Sequence, residues 1–130
     1  MKLKILSDKD KNSYEYKRKI KKELMSTKYS LFNLKFVTMS EKNVDILIII
    51  SDDLEYIYKN SFEFKNGGYK YSDLIILTSN LRSANIIGCL DLTPYVYYTK
   101  SKFDSIIFRI IKICNRRNNT TYKIPVKKDS

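Results

Sequence analysis

A chain of 130 residues is the size of one domain with one core, and 43% apolar and 13% aromatic residues are enough to fill that core. The formal charge is +11 and histidine is absent, which removes the commonest general base and the commonest transition-metal ligand. No apolar run approaches a membrane span and no signal-peptide pattern opens the chain, so a cytoplasmic protein with no membrane contact is expected, and the two cysteines, Cys89 and Cys114, read as reduced core thiols.

Lys2 to Leu6 alternates in polarity and reads as a short first strand, broken by Ser7-Asp8-Lys9-Asp10. Asn12, with Glu15 three residues on, fits an N-cap and capping box for a helix over 13–26. Tyr16, Ile20 and Leu24 form its apolar stripe, and Lys17, Arg18, Lys19, Lys21 and Lys22 cover the rest. Leu31 to Val37 reads as a second strand, and 40–43 is too brief for more than one helical turn.

Val44 to Ile50 is a run of β-branched residues and leucine broken only by Asp45, and it ends at Ser51-Asp52-Asp53. A strand apolar on both faces belongs at the centre of a parallel sheet covered by helices on each side. Leu54 to about Phe62 reads as a helix, although Asn66-Gly67 between alternating aromatics is also a hairpin signal. Asp73 to Thr78 is a fourth strand. Ser79-Asn80 can cap a weak helix over 81–87, and Pro94 precedes a fifth strand, Tyr95 to Thr99. Ser101 caps the last helix, on which Phe103, Ile106, Ile107, Ile110, Ile111 and Cys114 recur at helical spacing. Arg116-Arg117-Asn118-Asn119 ends it, and Tyr122 to Val126 alternates like the start of another strand.

This alternation of strands and helices implies an α/β fold with a parallel sheet and helices on both faces. Ile46, Ile48, Ile50, Leu74, Ile76, Ile107, Ile110 and Ile111 are the expected core. Ten Lys/Arg against four acids in residues 1–30, and eight against two in 101–130, make both ends basic. Interleaved with core positions and without a long run, these cations read as solvent-facing helix surface.

Acids after the first strand, Thr78 after the fourth and Lys100 after the fifth form a set that resembles a response-regulator receiver domain, of the flavodoxin-like (CheY-like) architecture. The resemblance covers residues 1 to about 117 and implies a doubly wound five-stranded parallel sheet in the order 2-1-3-4-5. It places Ser7-Asp8 at the family's Mg²⁺-holding acidic pair. Thr78 falls at the phosphoryl-sensing hydroxyl, and Lys100 at the family's switch lysine, with Ser101 where the family carries proline. The departure is at the centre. Aligning Asp45 with the acid that opens the family's third strand puts Ile50, which cannot be phosphorylated, at the phosphoacceptor position.

The resemblance therefore implies a pseudo-receiver, not an enzyme. It implies a Mg²⁺ site at Asp8 and Asp52 that is weak or lost, and no other cofactor. It further implies signalling through protein contacts, with a homodimer formed through the fifth strand and the last two helices, and a sensor kinase as a further partner. Residues 1–119 would be the receiver-like domain. Residues 120–130 would be a linker or the start of a following DNA-binding domain, since Lys123-Ile124-Pro125-Val126-Lys127 resembles the opening strand of the LytTR type. Contact with DNA would then be indirect. Two alternatives stand beside this reading: a phosphorylatable receiver that uses Asp52 with Mg²⁺, and a stand-alone nucleic-acid or partner-binding module.

Overall fold

The computed structural model describes residues 1–37, 43–66, 72–80, 82 and 94–126. Its elements in chain order are β1 (Lys2–Ser7), α1 (Lys11–Leu24), a 3₁₀ segment (Thr27–Phe32), β2 (Lys35–Phe36), β3 (Ile46–Ile50), α2 (Leu54–Asn66), β4 (Asp73–Thr78), β5 (Tyr95–Tyr98) and α3 (Phe103–Val126). All five strands are parallel, in the order β2-β1-β3-β4-β5, as expected.

Side chains alternate across the central strands and so feed two cores. On one face, Leu3, Ile5, Ile46, Ile48, Ile50, Ile75 and Leu77 pack with Ile20 and Leu24 of α1 and with Ile106, Ile107, Ile110, Ile113 and Cys114 of α3. On the other, Leu6, Leu47, Ile49, Leu74 and Ile76 meet Ile57 of α2, with Leu54, Tyr56 and Phe64 around it. The fold is a doubly wound three-layer sandwich. Of the expected core residues all but Ile111 are buried; Ile111 is only partly covered and packs at the margin of the α3 core. Burying each of the others contributes roughly 1.5–3 kcal/mol.

Several local expectations need correction. The N-cap of α1 is Asp10, whose carboxylate accepts the N–H groups of Asn12 (3.1 Å) and Ser13 (3.4 Å), so the helix begins two residues earlier than Asn12 as cap would give. The second strand does not run from Leu31 to Val37. The chain makes 3₁₀ turns to Phe32, and Asn33 then takes a left-handed conformation (φ 49°), which asparagine tolerates better than most residues. Only Lys35 and Phe36 remain to pair with β1, and Leu31 is 96% exposed. The helix expected over Leu54 to about Phe62 is present and runs on to Asn66, so only its end is corrected. The first backbone bonds of α3 run to Lys102 rather than to Ser101. The helix does not end at Arg116–Asn119; its backbone stays helical to Val126, where a strand was expected. Arg117 is drawn inward to acids of the sheet rather than left to cap a helix end. The helix expected over 81–87 lies outside the described residues apart from Arg82, whose N–H is accepted by Asn80 Oδ1 at 3.1 Å.

Candidate functional site at the carboxyl edge of the sheet

In an open parallel sheet the functional crevice lies beyond the carboxyl ends of the strands. Ser7, Ile50 and Leu77 stand side by side as the facing residues there. The ladder continues one step further, with Ser51 N–H donating to Leu77 O (3.1 Å) and Thr99 N–H to Thr78 O (2.9 Å). The residues that follow these tips, Asp8, Ser51–Asp53, Thr78–Asn80 and Lys100, therefore form one rim.

Ile50 does not face that rim. It is 3% exposed and belongs to the core beneath α1 and α3. The polar groups beside it are arranged in two pairs. The Ser51 hydroxyl, 1% exposed, donates to Asp8 Oδ2, and Asp8 Oδ1 accepts the Asp10 N–H at 3.0 Å. Ser51 Oγ in turn accepts the Asp53 N–H at 2.9 Å, and Asp53 Oδ1 accepts the Glu55 N–H at 3.0 Å, which makes Asp53 a cap for α2 rather than a free loop acid. The second pair is built on Asp52. Its Oδ1 accepts the Thr78 hydroxyl at 3.0 Å and the Ser79 N–H at 2.6 Å, and its Oδ2 accepts the Ser79 hydroxyl. Partial burial alone would push the Asp52 carboxyl up. The hydrogen bonds from Ser79 and Thr78, aided by the charge of Lys100, outweigh that and hold it below the usual aspartate range.

The structure thus brings Asp8, Asp52, Thr78 and Lys100 to one rim, and Lys100 acts on Asp52 through its field. Ser51 and Ser79 are additions to the expected set. Ser51 reads in the sequence as no more than the end of an apolar run, and only the fold brings its hydroxyl to Asp8, 43 residues away. Tyr56 of α2 borders the same rim: burial raises its phenol pKa, and the charges of Asp8 and Glu63 raise it further.

A Mg²⁺ ion is held through oxygen ligands. Such an ion wants near-octahedral oxygen coordination. Here each oxygen of Asp8 and Asp52 already accepts at least one hydrogen bond. Among the described residues no three Asp, Glu, His or Cys side chains gather as a metal-holding group. A carboxylate tied to a hydroxyl and a backbone N–H can position loops and respond to pH.

Comparison with family models, with curated proteins and with solved structures finds no match to this chain. Among the described residues no helix is long and apolar enough to cross a membrane.

Proposed function

We propose that this chain is an atypical receiver module of a response regulator, one that works by protein contacts rather than by forming an aspartyl phosphate, and that it controls transcription through an attached DNA-binding domain. The observation that carries the reading is the pairing at the rim. The Asp52 carboxylate is held by Thr78 and Ser79, while Ile50, at the tip of β3, is turned into the core. Thr78 and Lys100, which a receiver would devote to a phosphoryl group, serve here to fix a loop acid.

The contact surface we assign is β5 with α3. Arg109 lies over the Tyr97 ring at 5.1 Å and Arg116 over the Tyr95 ring at 5.2 Å. This holds a stiff cationic and aromatic edge along β5. A homodimer through this edge is part of the proposal.

A specific observation also favours a second reading. Asp52 has a hydroxyl at hydrogen-bond distance and a lysine field on it, which are the neighbours an acceptor carboxylate needs. Intact mass after incubation with acetyl phosphate and Mg²⁺ separates the two. The pseudo-receiver reading expects no change in mass. A stable gain of one phosphoryl group, lost in Asp52→Asn, would replace it with a phosphorylatable receiver.

A further inference from the structure

Charge differs sharply between α1 and α2, which cover opposite faces of the sheet. In α1 six cations stand against two carboxylates, whereas in α2 two stand against two. The excess lies on the α1 side of the sheet.

Within α1 the cations divide by what they touch. Lys19 reaches over the Phe103 ring at 4.2 Å and Lys21 over the Phe36 ring at 5.5 Å, so both bend toward the protein. Lys17 is half-buried, and Lys11, Arg18 and Lys22 are neither bent inward in this way nor half-buried. At about 100° per residue they fall within about 40° of one another, opposite the buried Ser13, Ile20 and Leu24. All three are exposed, and none joins an ion pair among the described residues. They form a stripe about 16 Å long. Glu15 is the one carboxylate along it, and Tyr14, 53% exposed, flanks it.

We propose that this outward stripe of α1, Lys11, Arg18 and Lys22, is a docking surface for the phosphate backbone of duplex nucleic acid, bound without regard to sequence. The inference is independent of the receiver reading. Aligned, solvated cations gain free energy from a polyanion by releasing its condensed counterions. A lipid surface fits less well, because a helix lying on a membrane needs an apolar face to insert, and α1 spends its own on the sheet. An acidic protein fits less well too, since the stripe lacks the apolar centre that protein interfaces carry.

The test is fluorescence anisotropy of the full chain with two labelled duplexes of unrelated sequence, titrated between about 50 and 200 mM salt. Wild type should bind both alike, with affinity falling steeply as salt rises. Lys11→Glu, Arg18→Glu and Lys22→Glu together should weaken binding at least about tenfold and flatten the log-log salt slope by about three, one for each phosphate no longer neutralised. Lys59→Glu, on exposed α2, should leave both unchanged. Circular dichroism checks the fold, and glutamine at the same three positions replaces the glutamate triple if that does not fold. The proposal is overturned if the triple variant binds as wild type does, or if Lys59→Glu loses as much. It is equally overturned if wild type ignores the duplexes and binds phosphatidylserine vesicles.

Discussion

Arg117 Nη1 donates to Asp73 Oδ2 at 2.9 Å, across 44 residues of sequence. The same guanidinium reaches Asp45 Oδ1 at 3.3 Å through Nη2, so one side chain of α3 bridges the amino ends of β3 and β4. Asp45 is itself held by the Lys2 N–H at 2.8 Å, which ties β1 into the same cluster. A planar guanidinium can serve two carboxylates in a fixed fork, and a lysine cannot. Arg117→Lys should therefore destabilise the fold almost as much as Arg117→Met. We expect roughly 1–2 kcal/mol, between the values for exposed and buried pairs because the side chains stay partly solvated. Urea denaturation of the two variants, and of Asp73→Asn in a double-mutant cycle, measures it. Full retention of stability in Arg117→Lys would reduce the fork to simple charge attraction.

The rim should report on acid. The carboxyl of Asp52 is held below its usual range, while in the unfolded chain it titrates near about 3.9. A depressed folded-state pKa contributes stability above the unfolded value and loses it as pH falls through the folded one. Wild type should thus lose stability progressively below about pH 4, with Asp52→Asn showing a shallower loss over the same interval. Denaturant midpoints between about pH 2.5 and 6 give the comparison. Parallel pH profiles would mean that Asp52 takes no net benefit from Thr78 and Ser79.

Neighbouring isoleucines of α3 should respond differently to truncation. Ile110 is fully buried and Ile107 is 3% exposed, whereas Ile111 lies at the margin of the cluster. Removing buried atoms costs transfer free energy and leaves a cavity, about 2–5 kcal/mol for Ile→Ala in a tight site. Ile110→Ala and Ile107→Ala should fall in that range and Ile111→Ala clearly below it. Equal losses at all three positions would place Ile111 in the core after all.

The centre of the fold was legible because its signal is local. Val44 to Ile50 and Asp73 to Thr78 are apolar on both faces, and a chain can bury both faces only at the middle of a covered sheet. The stripe on α3 was legible for the same reason. Its end was not, because Arg117 is engaged by partners 44 and 72 residues away that nothing near it in the sequence announces. The second strand misled because Phe32, Leu34 and Phe36 do pack against the core, but Phe32 does so from a 3₁₀ turn, and the left-handed Asn33 leaves only Lys35 and Phe36 as extended strand. The helix cap shifted from Asn12 to Asp10 because both are good caps and the entry angle of the chain decides between them. At the rim, Asp8, Asp52, Thr78 and Lys100 could be named because the resemblance to a receiver domain points to the residues that follow the strand ends. Their hydroxyl partners Ser51 and Ser79 could not, since serine after a strand is common and its pairing depends on strand register.

Register also bears on whether an acceptor can be restored by one substitution. Within the sheet Ile50 faces Ser7 on β1 and Leu77 on β4, and its side chain enters the core shared with α1 and α3. An aspartate there would give up the apolar packing of isoleucine and hold its carboxyl in a site that disfavours the charged form. The rim hydroxyls are already occupied: Ser51 donates to Asp8, and Thr78 to Asp52. We expect Ile50→Asp to cost more than about 4 kcal/mol, a large part of the roughly 5–15 kcal/mol available to a small domain. Ile50→Val, which keeps the shape and removes one methylene, should cost only about 0.5–1.5 kcal/mol. Thermal unfolding followed by circular dichroism distinguishes the two, and acetyl phosphate with intact mass tests the chemistry. An Ile50→Asp protein that folds as wild type does and gains a phosphoryl group would show that the tip of β3 opens to the crevice, and the core position assigned to Ile50 would then be wrong.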